Sequence, residues 1–449
     1  MSMTRTLLVA ALACLLGTTP ARADDPKIPF ERYTLANGLE VILVRDDKVP
    51  LVAVDVWYHV GSGDETPGKS GFAHLFEHMM FQGTKATGED KHFEILQKIG
   101  SSDVNGTTNS NRTNYYEVVP SNQLEAALWL ESERMGYLLP GVNEASLANQ
   151  RDVVRNERRQ RYDNVPYGKD RFAVAEALYA EDHPYRYLTI GRHEDLEKAS
   201  AQDVRNFFQE WYVPANATLA IAGDFEVEAA KKAVDKWFGS FPKSTRPGHR
   251  RIHQPPLART VRRTIFDDFA RLRRVHYAWH TPALYAPDDA ELDVLANALG
   301  DTGTGRLYKV LVHDKQLAQN VSVSQQSAQL SSVFHVVVDL KSDADLAEVE
   351  KIIDQELERV MREPISQREL ERAVVGFESA FVWGLEDLMA RAELLEGYNH
   401  FTGNPDYIKT DLDRYRTTNV DAIQAVAARW LGKRHRAEII TMPAEKGGK

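Results

Sequence analysis

The chain has 449 residues, of which 43% are hydrophobic and 27% charged, and its formal net charge is −10. That length provides for two or more domains with ample buried cores. The acidic balance disfavours nucleic acid and anionic membrane as partners, and the single cysteine, Cys14, excludes a disulfide framework.

Residues 1–23 read as a signal peptide. Arg5 supplies the positive start, Leu7 to Leu16 an apolar run too short to span a bilayer, and Ala21-Arg22-Ala23 a small-x-small cleavage site. Cleavage after Ala23 removes Arg5 and Arg22, so the charge goes from −10 to −12. It also removes Cys14, which excludes a thiol nucleophile or thiolate metal ligand from the exported chain. Lipid attachment at Cys14 is disfavoured by the poor fit of Ala11-Leu12-Ala13. The expected location is periplasmic or secreted, and no later stretch is long and apolar enough for a transmembrane helix.

Leu39 to Val44 and Leu51 to Tyr58 alternate or run apolar like strands, joined by the polar turn Arg45 to Pro50. After a Gly/Ser/Pro loop, Gly61 to Gly71, comes Gly-Phe-Ala-His-Leu-Phe-Glu-His-Met-Met-Phe-Gln-Gly-Thr at 71–84. As a helix it puts His74 and His78 one turn apart on one face, with Glu77 beside them. Leu75, Phe76, Met79 and Met80 point largely elsewhere, and Gly83 marks the expected stop. Two imidazoles at that spacing suit Zn²⁺, with the carboxylate as general base toward a metal-bound water. The order H-x-x-E-H is the inverted form of the zinc-protease helix.

A helix near Lys91–Ile99, a strand at Thr113–Val119, and helical patterns over Gln123–Leu138 and Glu144–Arg161 follow. Asp163 to Gly168 breaks the last of these. Ala217–Ala222 is a strand and Val227–Phe238 a helix, closing a first unit at 24–239. Residues 240–262, with five prolines or glycines among arginines and lysines, read as an extended linker. The second unit, 263–449, repeats the first in outline. Val275 to His280 echoes Val54 to His59, and Glu371 to Glu378 echoes Gln150 to Glu157. The helix Asp288–Leu299, which should answer the histidine helix, contains no histidine.

A catalytic zinc usually takes three protein ligands and keeps one position for water. Glu131, Glu133, Glu144, Glu157 and Glu176 all sit on helical patterns, and residue physics alone leaves the choice open. The 71–84 stretch, however, resembles nearly residue for residue the zinc helix of the insulinase/pitrilysin family of metallopeptidases, and the likeness extends over about 30 to 445. The resemblance implies a third ligand some mid-seventies of residues downstream. Seventy-eight residues separate His78 from Glu157, and Asp152 to Arg158 with Asp163 to Gly168 resembles the bacterial members there.

The same resemblance implies an α+β fold of two homologous α/β-layered domains forming half of a clam-shell, one Zn²⁺ per chain, and endopeptidase activity on peptides or unfolded segments. Asn105, Gly106, Thr107 and Thr108 are similar to the family's substrate-binding edge strand, where an extended peptide adds by main-chain hydrogen bonds. Gly106 stands where alanine is usual, and Gln150 where a glutamate usually supports the third ligand. In the second half, Val312 and Gln319 stand where the family has an arginine and a tyrosine that reach the substrate. A heterodimer with a homologous subunit supplying that pair is therefore expected. The rival expectation is a non-catalytic peptide-binding or structural subunit.

Overall fold

The computed structural model describes residues 25–444, except 85, 90, 251 and 253; the signal-peptide reading lies outside these residues. Six strands form the first sheet: β1 (Glu31–Thr34), β2 (Glu40–Arg45), β3 (Leu51–Tyr58), β4 (Asp103–Thr108), β5 (Thr113–Pro120) and β6 (Ala217–Gly223), in the order β1-β2-β6-β3-β5-β4. The second sheet holds β7 (Val261–Asp267), β8 (Arg274–Thr281), β9 (Ala318–Gln326), β10 (Ser332–Leu340) and β11 (Ala437–Pro443), in the order β7-β11-β8-β10-β9.

Set β1 aside and the two orders correspond strand for strand. The β2–β6 and β7–β11 pairs are parallel, and every other pair is antiparallel. The central strands agree in facing as well. Val54, Val56 and Tyr58 point into the first core, and Val275, Tyr277 and Trp279 into the second. A two-residue period with matching phase in both copies is what a duplicated half-buried sheet requires. The fold is α+β with two such layered units.

Each sheet covers one face with helices of its own half and the other face with a helix from the opposite half. The helix Gly168–Leu178 packs Ala173, Val174, Ala177 and Leu178 against Ala278, Val333, Ala437 and Ile439 of the second sheet. Reciprocally, Leu388–Thr402 packs Met389, Ala392 and Leu395 against Ile42, Ala53, Ala220 and Ala222 of the first. Neither half buries both faces of its sheet alone, so the two are interlocked.

Each seam also carries a buried polar contact at matching strand positions. On β3, Asp55 accepts from Trp57 Nε1 at 2.9 Å and Asn114 Nδ2 at 3.1 Å and lies against Glu396 of the crossing helix. Burial pushes the Asp55 carboxyl up to about 7 and the Glu396 carboxyl well above its ordinary range. On β8, His276 Nδ1 lies 2.6 Å from Asp170 Oδ2 of the crossing helix.

Among its described residues, the stretch read as a linker has no regular element until β7 begins at Val261, so its last two residues belong to that strand. It is nonetheless held down: His249 Nδ1 is 2.7 Å from Asp64 Oδ1, and Arg250 Nη1 donates to the Glu65 carbonyl at 3.3 Å.

Candidate metal centre

The histidine helix runs Phe72–Met79 and buries Phe72, Leu75, Phe76 and Met79 in the first core. Its entry is fixed by Gly71, whose φ of +86° and contact with the Ile190 carbonyl leave no room for a Cβ. Glu65, 6% exposed, accepts from Gly71 N at 3.0 Å and Ala73 N at 2.9 Å, satisfying two orphan amides at a positive helix end. The helix ends with Met80 as cap, three residues before the expected stop; Gly83 takes the left-handed turn that follows.

The second contributing helix spans Glu144–Arg158 and is capped by Asn143, whose Oδ1 accepts from Ala145 N and Ser146 N. It stops earlier than its periodicity suggests, passing into a π-helical turn over Arg159–Asp163. It packs on the histidine helix, and this brings Glu157 to the imidazoles. Glu157 Oε2 lies 3.5 Å from His74 Nε2 and 3.3 Å from His78 Nε2. All three ligand atoms lie within 4.8 Å of one another. Two nitrogens and an oxygen bonded at ~2.0–2.1 Å in a tetrahedral array would stand roughly 3.3–3.4 Å apart, so the donor set fits zinc. The side chains of His78 and Glu157 remain 21% and 16% exposed, which leaves the cluster open on one side.

The surroundings prepare these groups. Burial, helped by the neighbouring His78, pushes His74 down to about 4, so it is neutral at pH 7. Burial also opposes charge on His78, but Glu157 and Glu77 outweigh it and hold its pKa above the ordinary value. For Glu157 burial is likewise outweighed, by His78, His74 and Arg161, which keep the carboxyl ionised below its ordinary pKa. Gln150 Oε1 sits 3.3 Å from His78 Nδ1; with a proton on Nδ1, Nε2 is left free toward Glu157.

Glu77 is 9% exposed. Burial raises its pKa, and the Thr108 hydroxyl, donating to Oε2 at 2.5 Å, partly offsets this. Thr108 therefore reaches the carboxylate from β4, a contact that residue spacing could not reveal. β4 is an edge of the first sheet, as expected. Its edge is not bare, however: Asn105 Oδ1 accepts from Gly106 N at 2.9 Å. A Cβ at Gly106 would stand 3.1–3.2 Å from Tyr115, Glu77 Cγ and Phe81. Glycine here, where the resemblance has alanine, thus relieves crowding on Glu77.

In the second half, Val312 packs on its own core and Gln319 is exposed on β9. A second convergence of His92, Glu117 and Glu131 is wholly buried. Arg134 pairs with Glu131 and lies 4.0 Å from Glu117, so a guanidinium already supplies the positive charge there.

The profile described as insulinase (peptidase family M16) matches residues 40–172, and the peptidase M16 inactive domain matches 198–376. The chain is 30% identical to a zinc protease, PqqE, of Helicobacter pylori over 415 residues, covering 90% of this chain and 92% of the relative. It is 27% identical to the uncharacterized zinc protease YmxG of Bacillus subtilis, covering 80% and 85%. A crystal structure of a Helicobacter pylori protease superposes with a TM-score of 0.86 at 27% identity, over 93% of this chain and 100% of that one. The periplasmic protease PqqL of Escherichia coli shares the fold at 17% identity and a TM-score of 0.76, with this chain covering 48% of it. The residues matched as the inactive domain include none of His74, Glu77, His78 or Glu157. On sequence and fold together, the chain belongs to the insulinase family of peptidases, M16.

Proposed function

We propose that this chain is an exported, zinc-dependent endopeptidase that hydrolyses peptides or unfolded segments. The observation that carries the reading is the convergence of His74 Nε2, His78 Nε2 and Glu157 Oε2 beside Glu77, at the end of an edge strand. Zinc held by those three residues supplies a Lewis acid for the scissile carbonyl and lowers the pKa of its water from ~15.7 toward ~7. Glu77 takes the proton from the attacking water and passes it to the leaving amine. Thr108 fixes which carboxylate oxygen is free for that transfer. The extended substrate pairs with β4 at Asn105 to Thr108, displacing the Asn105 side chain from Gly106 N. Export rests on the signal pattern of residues 1–23.

The active assembly is a heterodimer with a homologous two-domain subunit. Val312 and Gln319 offer neither a cation nor a phenol, so the partner supplies the arginine–tyrosine pair.

The test is Glu77→Gln. A base outside the ligand set can be neutralised without emptying the site, so purified Glu77→Gln retains stoichiometric zinc while peptide turnover falls roughly 10²–10⁴-fold. Full activity in that variant would sink the mechanism.

A further inference from the structure

We propose that Arg161 is a positioning residue of the metal centre, occupying one oxygen of Glu157 so that the other alone is turned to the imidazoles. The proposal rests on the zinc reading above. Arg161 Nη1 lies 2.9 Å from Glu157 Oε1, while Oε2 faces His74 and His78. The two oxygens of one carboxylate are thus divided between a guanidinium and the ligand cluster.

The neighbouring arginines are committed elsewhere. Arg155 pairs with Asp152 and Glu197, and Arg159 donates to Asn156 Oδ1 at 2.8 Å. Arg158 pairs with Asp163 and lies over the Phe172 ring. Arg161 stands one turn beyond Glu157, on the π-helical turn that ends the helix. π turns recur at functional sites.

The physical need is specific. A carboxylate with both oxygens free can bind a cation through both, filling the position that a catalytic zinc keeps for water. A donor on Oε1 removes that option and orients the ligand. Outer-shell partners of this kind commonly change metal affinity ~10–100-fold. Arg161 is 72% exposed, so its effect belongs at the lower end and should weaken with salt.

Zinc affinity of the full chain is measured by competition with a chromophoric chelator, at low salt and at ~1 M salt, where the Debye length shrinks to ~3 Å. Arg161→Ala is expected to bind zinc ~10-fold more tightly at low salt, because a second carboxylate oxygen is freed and a nearby cation is lost, with the gap narrowing at high salt. Arg161→Lys reverses part of the change, and Arg159→Ala, on the same turn, stays at the native value. In the cobalt-substituted protein, Arg161→Ala shifts the visible spectrum toward higher coordination number, which mere loss of a nearby charge would not do. Native affinity and spectrum in Arg161→Ala, or an equal change in Arg159→Ala, overturns the role of Arg161. Native zinc affinity in Glu157→Ala would instead overturn the underlying ligand set.

Discussion

The two halves of the molecule share a strand order and differ in what the helix after the central strand carries. In the first half that helix, Phe72–Met79, buries His74 and Glu77 along with its apolar face and leaves His78 partly exposed. In the second, Asp289–Gly300 buries Leu292, Val294, Leu295, Ala298 and Leu299, with no histidine. Burying polar side chains costs free energy unless they find partners. The first half meets that cost with Glu157 and Gln150, both on the helix Glu144–Arg158, and with Thr108 of β4. The second half buries Asp289 at the start of its helix, paired with Arg414, and the rest of the buried face is apolar core. The two halves thus share one scaffold and differ in the side chains that their corresponding helices carry.

The largest expected effect breaks the asymmetry outright. His74→Ala, His78→Ala and Glu157→Ala should each lose stoichiometric zinc along with peptidase activity, leaving the first half as metal-free as the second. Metal analysis of the purified variants checks this, and a variant that keeps full zinc would remove its residue from the ligand set.

The seams sharpen the comparison through pH. Asp55 has a folded pKa of about 7 against an ordinary 3.8, so the folded chain holds a proton there that the unfolded chain releases. Its contribution is fully present below about pH 4 and is lost as pH rises toward 7, a span worth up to ~4 kcal/mol at ~1.4 kcal/mol per unit. Glu393 on the crossing helix adds to this, while the hydrogen bonds from Glu396 and Asn114 and the charge of Arg112 oppose it. Asp55→Asn should flatten the stability profile between pH 4 and 7; a denaturation series over that range with parallel native and variant curves would refute it.

Activity of the lone chain comes next. Losing one transition-state donor costs ~2.7–4 kcal/mol, or 10²–10³ in rate. Peptide cleavage by the purified chain should therefore be slow and rise by about that factor when a co-purifying homologue is added. A fully active lone chain that no partner improves would show the heterodimer reading wrong.

The smallest effect concerns Gln150, which contacts His78 Nδ1 through a neutral oxygen. Gln150→Glu puts a negative charge in the same place and should tighten zinc binding by ~10-fold, the low end for outer-shell partners. Chelator competition decides it, with equal or weaker binding counting against the idea.

The sequence by itself determined whatever depends on short spacing. His74, Glu77 and His78 share a helix face because four residues make about one turn, and the alternation in β3 and β8 revealed the repeat because strands have a period of two. The expectation for Glu157 came from resemblance; local periodicity treated five glutamates alike, since 78 residues of intervening chain carry no local geometry. Arg161 was within reach of the same helical rule, four residues past Glu157. Only the tertiary structure decided the rest. The Thr108 contact with Glu77, the crowding at Gly106 and the exchange of helices between halves all join elements distant in sequence. Side-chain chemistry gives no hint of such pairings until sheet register and helix packing bring the atoms together.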